Sequence, residues 1–192
     1  MRICLAHIFG VTAYSQSKHI DPEVHPKREK EKADDYDKRL WREHATYYGD
    51  TDEVAVPAMA LKMGNDEACK RLGLQVTGRG KTTYAKFFVA GQICEDDVPL
   101  GIHRDDLEYI DIWANPEGVR GGGKRVKRRF PYIHAGWKGV ARFALLDEII
   151  PNEIFERVVV ENGRLIGIGR FRPEKGGLLG RFRVDRFEWQ AA

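Results

Sequence analysis

The stretch Lys138-Gly139-Val140-Ala141-Arg142-Phe143-Ala144-Leu145-Leu146, followed after a short turn by Pro151-Asn152-Glu153-Ile154-Phe155-Glu156-Arg157-Val158-Val159-Val160, decides the fold class. Its first part alternates, with Ala141, Phe143 and Leu145 on one side and Val140, Arg142, Ala144 and Leu146 on the other, which is the period of a strand. Its second part opens on Pro151, whose missing N–H costs nothing in a first helical turn, and Gly163 marks its end. The β-branched run Val158-Val159-Val160 leans toward strand, but the punctuation predicts a packed helix. A strand followed by a helix is half of a split βαβ unit.

Outward from there, Arg181 to Trp189 alternates again and supplies the closing strand, with Phe187 and Trp189 in the core. Arg2 to Phe9 is apolar and β-compatible, a central strand. After Pro57, the residues Met59, Leu61, Met63, Ala68, Cys69 and Leu72 recur at helical spacing until Gly73, predicting a helix over 57–72. Thr77 to Val89 begins as a basic glycine loop and is expected to end as a strand. Tyr109 to Trp113 and Val126 to Ile133 read as strands, Val126 and Phe130 facing inward. The order predicts an α+β, ferredoxin-like (RRM-like) βαββαβ frame with helical and loop insertions and a C-terminal glycine-rich loop. One domain over 1–192 is expected, with an acidic helical insertion over 20–56 in which Lys27 to Tyr47 is an exposed helix. Gly80-Lys81-Thr82 matches the end of a phosphate-binding loop, but Gln75 stands where that pattern requires glycine, so nucleotide hydrolysis is not supported.

The net charge of +3 hides an uneven distribution. Gly118 to Leu146 holds eight Lys or Arg and no acid, whereas Asp21 to Glu53 holds eleven acids against seven Lys or Arg. A basic working face and an acidic peripheral arm follow, a polarity suited to a polyanion and to head-to-tail contact between copies. Three cysteines without CxxC spacing, and no apolar run near 18 residues, predict a reduced, cytoplasmic protein with no membrane partner. The histidines form no metal-binding pair, and no cofactor is expected.

Two glycine-rich basic stretches carry the functional reading. Ile166 to Val184 braids five glycines with four arginines, one lysine and two phenylalanines, and Arg120 to Tyr132 repeats the chemistry. Gly167 and Gly169 can bring bare backbone to a phosphate, and Arg170, Arg172 and Arg181 offer planar donor forks. Phe171 or Phe182 can stack on a base. Lys124, Arg125, Lys127 and Arg128 add charge, and the polar loop Tyr14, Ser15, Gln16, Ser17 can solvate a phosphate or ribose. Each has a plain alternative, an ordinary turn or hydrophilic connection.

The frame, with Gly-Ile-Gly-Arg at 167–170 and Gly-Arg-Phe at 180–182, resembles the RAMP superfamily of CRISPR-associated proteins, nearest to the backbone subunit that polymerises along guide RNA. Through Tyr14-Ser15-Gln16-Ser17, Pro57-Ala58-Met59-Ala60-Leu61-Lys62, Gly121-Gly122-Gly123-Lys124-Arg125-Val126 and Ile166 to Pro173, the chain also resembles a family of bacteriophage and prophage proteins, a likeness that implies no activity. The first resemblance implies RNA contacts at Lys62, Gly167, Gly169 and Arg170, and a thumb hairpin within 76–98 carrying Arg79, Lys81 and Lys86. It implies a non-catalytic protein that oligomerises head to tail on a guide RNA and presents it to a complementary target strand, in a bacterial host cell. Two alternatives stay open: a phage inhibitor that mimics such a subunit, and a RAMP-type endoribonuclease using His19, His25, His44 or Asp105-Asp106.

Overall fold

A computed structural model of the chain describes residues 1–114 and 126–191. In chain order the elements are strands β1 (Arg2–Gly10) and β2 (Tyr14–Ser15), helix α1 (Ala33–Leu40), strands β3 (Thr46–Tyr47) and β4 (Glu53–Val56), and helices α2 (Ala58–Leu72) and α3 (Ala85–Gly91). Strands β5 (Gln92–Cys94), β6 (Val98–His103), β7 (Glu108–Ala114), β8 (Val126–Ile133) and β9 (Lys138–Leu145) follow, then helix α4 (Asn152–Glu161) and strand β10 (Phe182–Ala191). The fold is α+β, and its strand pairs are antiparallel.

The main sheet runs β10-β1-β9-β5. Its inner strand β1 buries Cys4, Ala6 and Ile8, and pairs on one side with β9 and on the other with β10, where the register slips between His7 and Ile8. The alternation of 138–146 points Ala141, Phe143 and Leu145 into the core, as expected. There Phe155 of α4 meets Phe143 edge-on at 5.3 Å and stacks with Phe88 of α3 at 6.2 Å. Each fully buried ring of this cluster contributes about 2–3 kcal/mol of hydrophobic free energy. Two smaller sheets, β2-β8-β7 and β3-β4-β6, flank the main one.

Helix α2 begins after Pro57 and ends at Gly73, whose N–H reaches Cys69 O at 3.2 Å. Helix α4 starts after Pro151 but passes the expected stop at Gly163 as a π-helical turn over Asn162–Ile166. The cause is tertiary: Asn162 Nδ2 donates to Asn65 Oδ1 at 2.9 Å and to Leu61 O at 3.2 Å on α2.

Several expectations need correction. Residues 85–91, the expected end of a strand, are helix α3, because Phe88 is drawn onto Phe155 and the preceding loop is closed by Tyr84 N donating to Leu74 O at 2.9 Å. Segment 76–98 comprises a loop closed by an antiparallel bridge between Gln75 and Thr83, then α3, β5 and the first residue of β6. The exposed helix expected over 27–47 shrinks to α1 and a 3-10 turn at Trp41–His44, and the third sheet drawn from 46–56 and 98–103 was not anticipated. Phe187 and Trp189 are half-buried against the core, Trp189 Nε1 donating to Glu156 Oε1 at 2.7 Å. Phe130 is buried as expected, while Val126 is half-buried.

Candidate nucleic-acid interface

The segment after the π turn threads against β2. Gly169 has φ +73°, and a Cβ there would lie 2.3 Å from Ser15 O and 2.4 Å from Tyr14 Cε2. Gly167 has φ +70°, and its Cβ would lie 2.6 Å from Pro173 Cδ. Backbone N–H groups here are already used: Gly167 donates to Asn162 O at 2.7 Å, Ile168 to Gly180 O at 3.0 Å and Arg170 to Ser15 O at 2.8 Å. The N–H of Gly167 is thus not free for a phosphate, while none of these bonds uses that of Gly169; both glycines admit the loop to the body of the protein.

What the loop delivers is the Arg170 side chain. Its guanidinium lies 3.8 Å from the centre of the Phe130 ring and 4.7 Å from that of Phe171, a residue held in the left-handed region at φ +57°. Its Nε is buried without a hydrogen-bond partner, and among the described residues no carboxylate pairs with it. Burial, and then repulsion from Arg128, lower its pKa from the ordinary arginine value. Arg170 stands between two clefts. One, of about 520 Å³, is bounded by Ser17 to Ile20, α1, His44 and the β8 residues Val126, Arg128 and Phe130. The other, of about 460 Å³, shares Ser17, Lys18 and Arg170 and adds Gly169, Arg172 and Pro57.

Behind Phe130 sits a polar network. Arg128 donates from Nε to Asp37 Oδ2 at 3.0 Å and from Nη2 to Oδ1 at 2.6 Å. His44 presents Nε2 to Asp37 Oδ1 at 3.3 Å and Nδ1 to Lys18 O at 2.8 Å. Both ring nitrogens thus face acceptors, so neither is left free to act as a base in the cleft that His44 borders. Burial would raise the Asp37 pKa, but hydrogen bonds from His44 and Arg128 hold it well below the usual carboxylate range.

The other sequence-predicted residues divide sharply. Tyr14, Ser15 and Gln16 are buried, Gln16 bridging from Nε2 to Ala55 O and from Oε1 to Thr46 N at 2.8 Å each, while Ser17 is exposed at both clefts. Arg172 pairs with Glu174 at 2.8 Å, Lys127 with Asp111 at 3.4 Å, and Arg181 Nε donates to Arg164 O at 3.2 Å. Lys62 binds Asp66 at 2.5 Å and Val89 O at 2.9 Å. Arg79 and Lys86 lie over Phe87, and with the exposed Lys81 they are absent from the lining of both clefts. Phe182, expected as a stacking ring, is buried against Trp137. Lys124 and Arg125 fall outside the described residues.

The basic face is consequently less bare than its sequence. Arg128, Arg129 and Arg142 are paired with Asp37, Asp111 and Glu95, acids drawn from outside the acid-free stretch, and Asp37 comes from the acidic arm itself. Lys18 and His19 also line the cleft, His19 having been singled out only for the nuclease alternative, and the exposed aromatics of β7 were missed by sequence reasoning. Trp113 is 67% exposed and Tyr109 is 50% exposed, the latter with Arg129 3.6 Å from its ring centre. Their alternation with Asp111 on one strand was the available signal.

His25 lies 3.8 Å from Glu43 and His103 lies 3.7 Å from Asp105; neither is in the cleft lining. Burial pushes the thiols of Cys4, Cys69 and Cys94 up to about 12, so they are poor nucleophiles. Among the described residues no group of three His, Cys, Asp or Glu is placed to hold a metal ion, and no helix is long and apolar enough to cross a membrane.

No family model and no curated protein matches the chain. Among solved structures it is similar to a chain described as a CRISPR RNA-guided surveillance complex, at 15% identity and a TM-score of 0.43, covering 97% of this chain and 68% of that one. It is also similar to Cmr6 from Pyrococcus furiosus, at 9% identity and a TM-score of 0.48, covering 96% of this chain and 99% of that one. Both are distant likenesses of overall shape.

Proposed function

We propose that this chain is a non-catalytic RNA-binding protein that takes the sugar-phosphate backbone along the two clefts divided by Arg170. The observation that carries the reading is a half-buried guanidinium, stacked on Phe130 and Phe171, with no carboxylate partner among the described residues. An arginine so held has lost most of its rotamer freedom before the ligand arrives, and its fork suits a phosphate. Lys18 and Lys27 extend the positive lining on the same side. Trp113 and Tyr109, beside Lys127 and Arg129, offer stacking faces interleaved with charge, the combination that binds single strands without sequence preference.

The finer reading is a ferredoxin-like frame of the RAMP type, assembling head to tail along one guide RNA and leaving sequence to base pairing with a target strand. The order β10-β1-β9-β5, with α2 between β1 and β5 and α4 between β9 and β10, supports that frame. A repeating backbone binder needs basic clefts more than base-edge contacts. The commitment of both His44 nitrogens counts against an acid-base nuclease built on that residue.

The test is to purify the protein with its native neighbouring genes and measure its absorbance ratio and size, then titrate the nucleic-acid-free chain with a labelled oligoribonucleotide at several salt concentrations. Co-purified RNA of defined length and an affinity that falls with salt are expected. A bare monomer with no affinity for single-stranded RNA at low salt refutes the proposal.

A further inference from the structure

The larger cleft is lined by two acids, Asp34 and Asp37, against four cations, Lys18, Lys27, Arg128 and Arg170. Arg128 and Arg170 lie against the same Phe130 ring, at 5.9 and 3.8 Å, yet Asp37 is the carboxylate that touches a guanidinium there. Its two oxygens meet Nε and Nη2 of Arg128 side on, the two-point geometry that two oxygens of a phosphate also satisfy. Arg170 is left with its Nε unpaired, repelled by Arg128 and only partly compensated by the same Asp37. Asp37 is thus the carboxylate in direct contact where two arginines meet, and Asp34 acts on Arg128 from further off.

The carrier of that carboxylate is lightly attached. Helix α1 has eight residues, too few to persist by itself, and only Asp37 and Leu40 of it are buried. Two of its other hydrogen bonds, Tyr36 Oη to His25 O at 2.8 Å and Arg39 Nε to Glu31 Oε1 at 2.8 Å, lie within the same inserted segment, whereas the turn that follows is fixed to the body by Trp41 against Tyr109 and by Arg42 Nε donating to Arg104 O at 3.3 Å, so that any release of Asp37 hinges there.

We propose that Arg128 and Arg170 form a phosphate site in which the Asp37 carboxylate is the resident anion, so that a phosphate of bound RNA and the α1 segment compete for the same guanidinium. The identity of the phosphate rests on the RNA reading above; the anion site does not. The acidic arm then works as an internal stand-in for ligand, keeping two guanidinium groups compatible until a phosphate replaces it.

The test compares the wild type with Asp37→Asn and Arg170→Gln. Melting is followed in chloride with and without added inorganic phosphate, and binding is followed by anisotropy with a labelled single strand of about 16 nucleotides. Asp37→Asn keeps the shape of the side chain but removes the resident charge. We expect it to melt lower in chloride, to recover more in phosphate than the wild type does, and to bind the strand about tenfold more tightly. In the wild type, amide exchange over 33–40 should speed up when RNA is added, a measurement that decides the matter even where the variant does not fold. Suppose the wild type binds RNA and Arg170→Gln binds it about tenfold more weakly, but Asp37→Asn binds no tighter and exchange at 33–40 is unchanged or slowed. The resident-anion idea is then wrong while the RNA reading stands. Phosphate recovery of Asp37→Asn without RNA binding by any form keeps the anion site and removes the RNA reading. Neither recovery nor binding removes both.

Discussion

Gly78-Arg79-Gly80-Lys81 and Gly167-Ile168-Gly169-Arg170 have nearly the same composition, and all four glycines have positive φ, from +57° to +76°. They sit at opposite extremes of packing. A Cβ at Gly78 or Gly80 would meet nothing within 4 Å, whereas one at Gly167 or Gly169 would collide with Pro173, Ser15 and Tyr14. Arg79 and Lys81 are exposed, but Arg170 is stacked and half-buried. A glycine in the first loop serves the turn, and a glycine in the second admits the chain into the protein. Composition cannot distinguish the two, because the difference lies in what other segments place above the loop.

The strongest consequence is at Gly169. Gly169→Val should cost about 3 kcal/mol or more, because overpacking adds to the strain of a β-branched residue at positive φ. A thermal transition equal to wild type would mean the loop is as open as the one at 78–81. Next comes acid. Asp37, beside this loop, has a folded pKa below its ordinary value of 3.8, so its contribution is fully present above that value and is lost as pH falls below it. Asp37→Asn should flatten that part of the stability profile, and an unchanged acid limb would assign the effect to other carboxylates.

Arg170→Gln should weaken RNA binding about tenfold with little change in melting, since one well-placed charged contact is removed. Arg79→Gln with Lys81→Gln should change it about twofold at most, as exposed rim charges do. Equal losses from the two variants would erase the distinction between the loops. The smallest effect expected is from Gly80→Ala, about 1 kcal/mol or less from backbone strain with open space around it, read from denaturant midpoints.

The elements legible in the sequence are those whose signals are local. Alternation placed β9, and the Pro57 and Pro151 starts placed α2 and α4. Helix α3 was not legible because Phe87-Phe88-Val89 favours a strand until Phe155 captures Phe88. For the site, Arg170 could be singled out as an arginine among glycines, but its stacking partner Phe130 lies on another sheet. The pairing of Arg128 with Asp37 spans 91 positions, which made an acid-free stretch look barer than it is.

The placement of β1 has a consequence for synthesis. Its two neighbours are β9 and β10, so the strand Ile3-Cys4-Leu5-Ala6-His7-Ile8-Phe9 has no sheet partner until residues 138–145 have been made and no second one until 182–191. At about 5–20 residues per second, the ribosome leaves this β-prone segment with both edges open for roughly 7 to 27 seconds. It is uncharged apart from His7 and contains no proline, the kind of segment that pairs readily with its own copies. A translating polysome holds many such strands side by side, which makes yield sensitive to elongation rate and to early chaperone capture even though the finished strand is sealed on both sides.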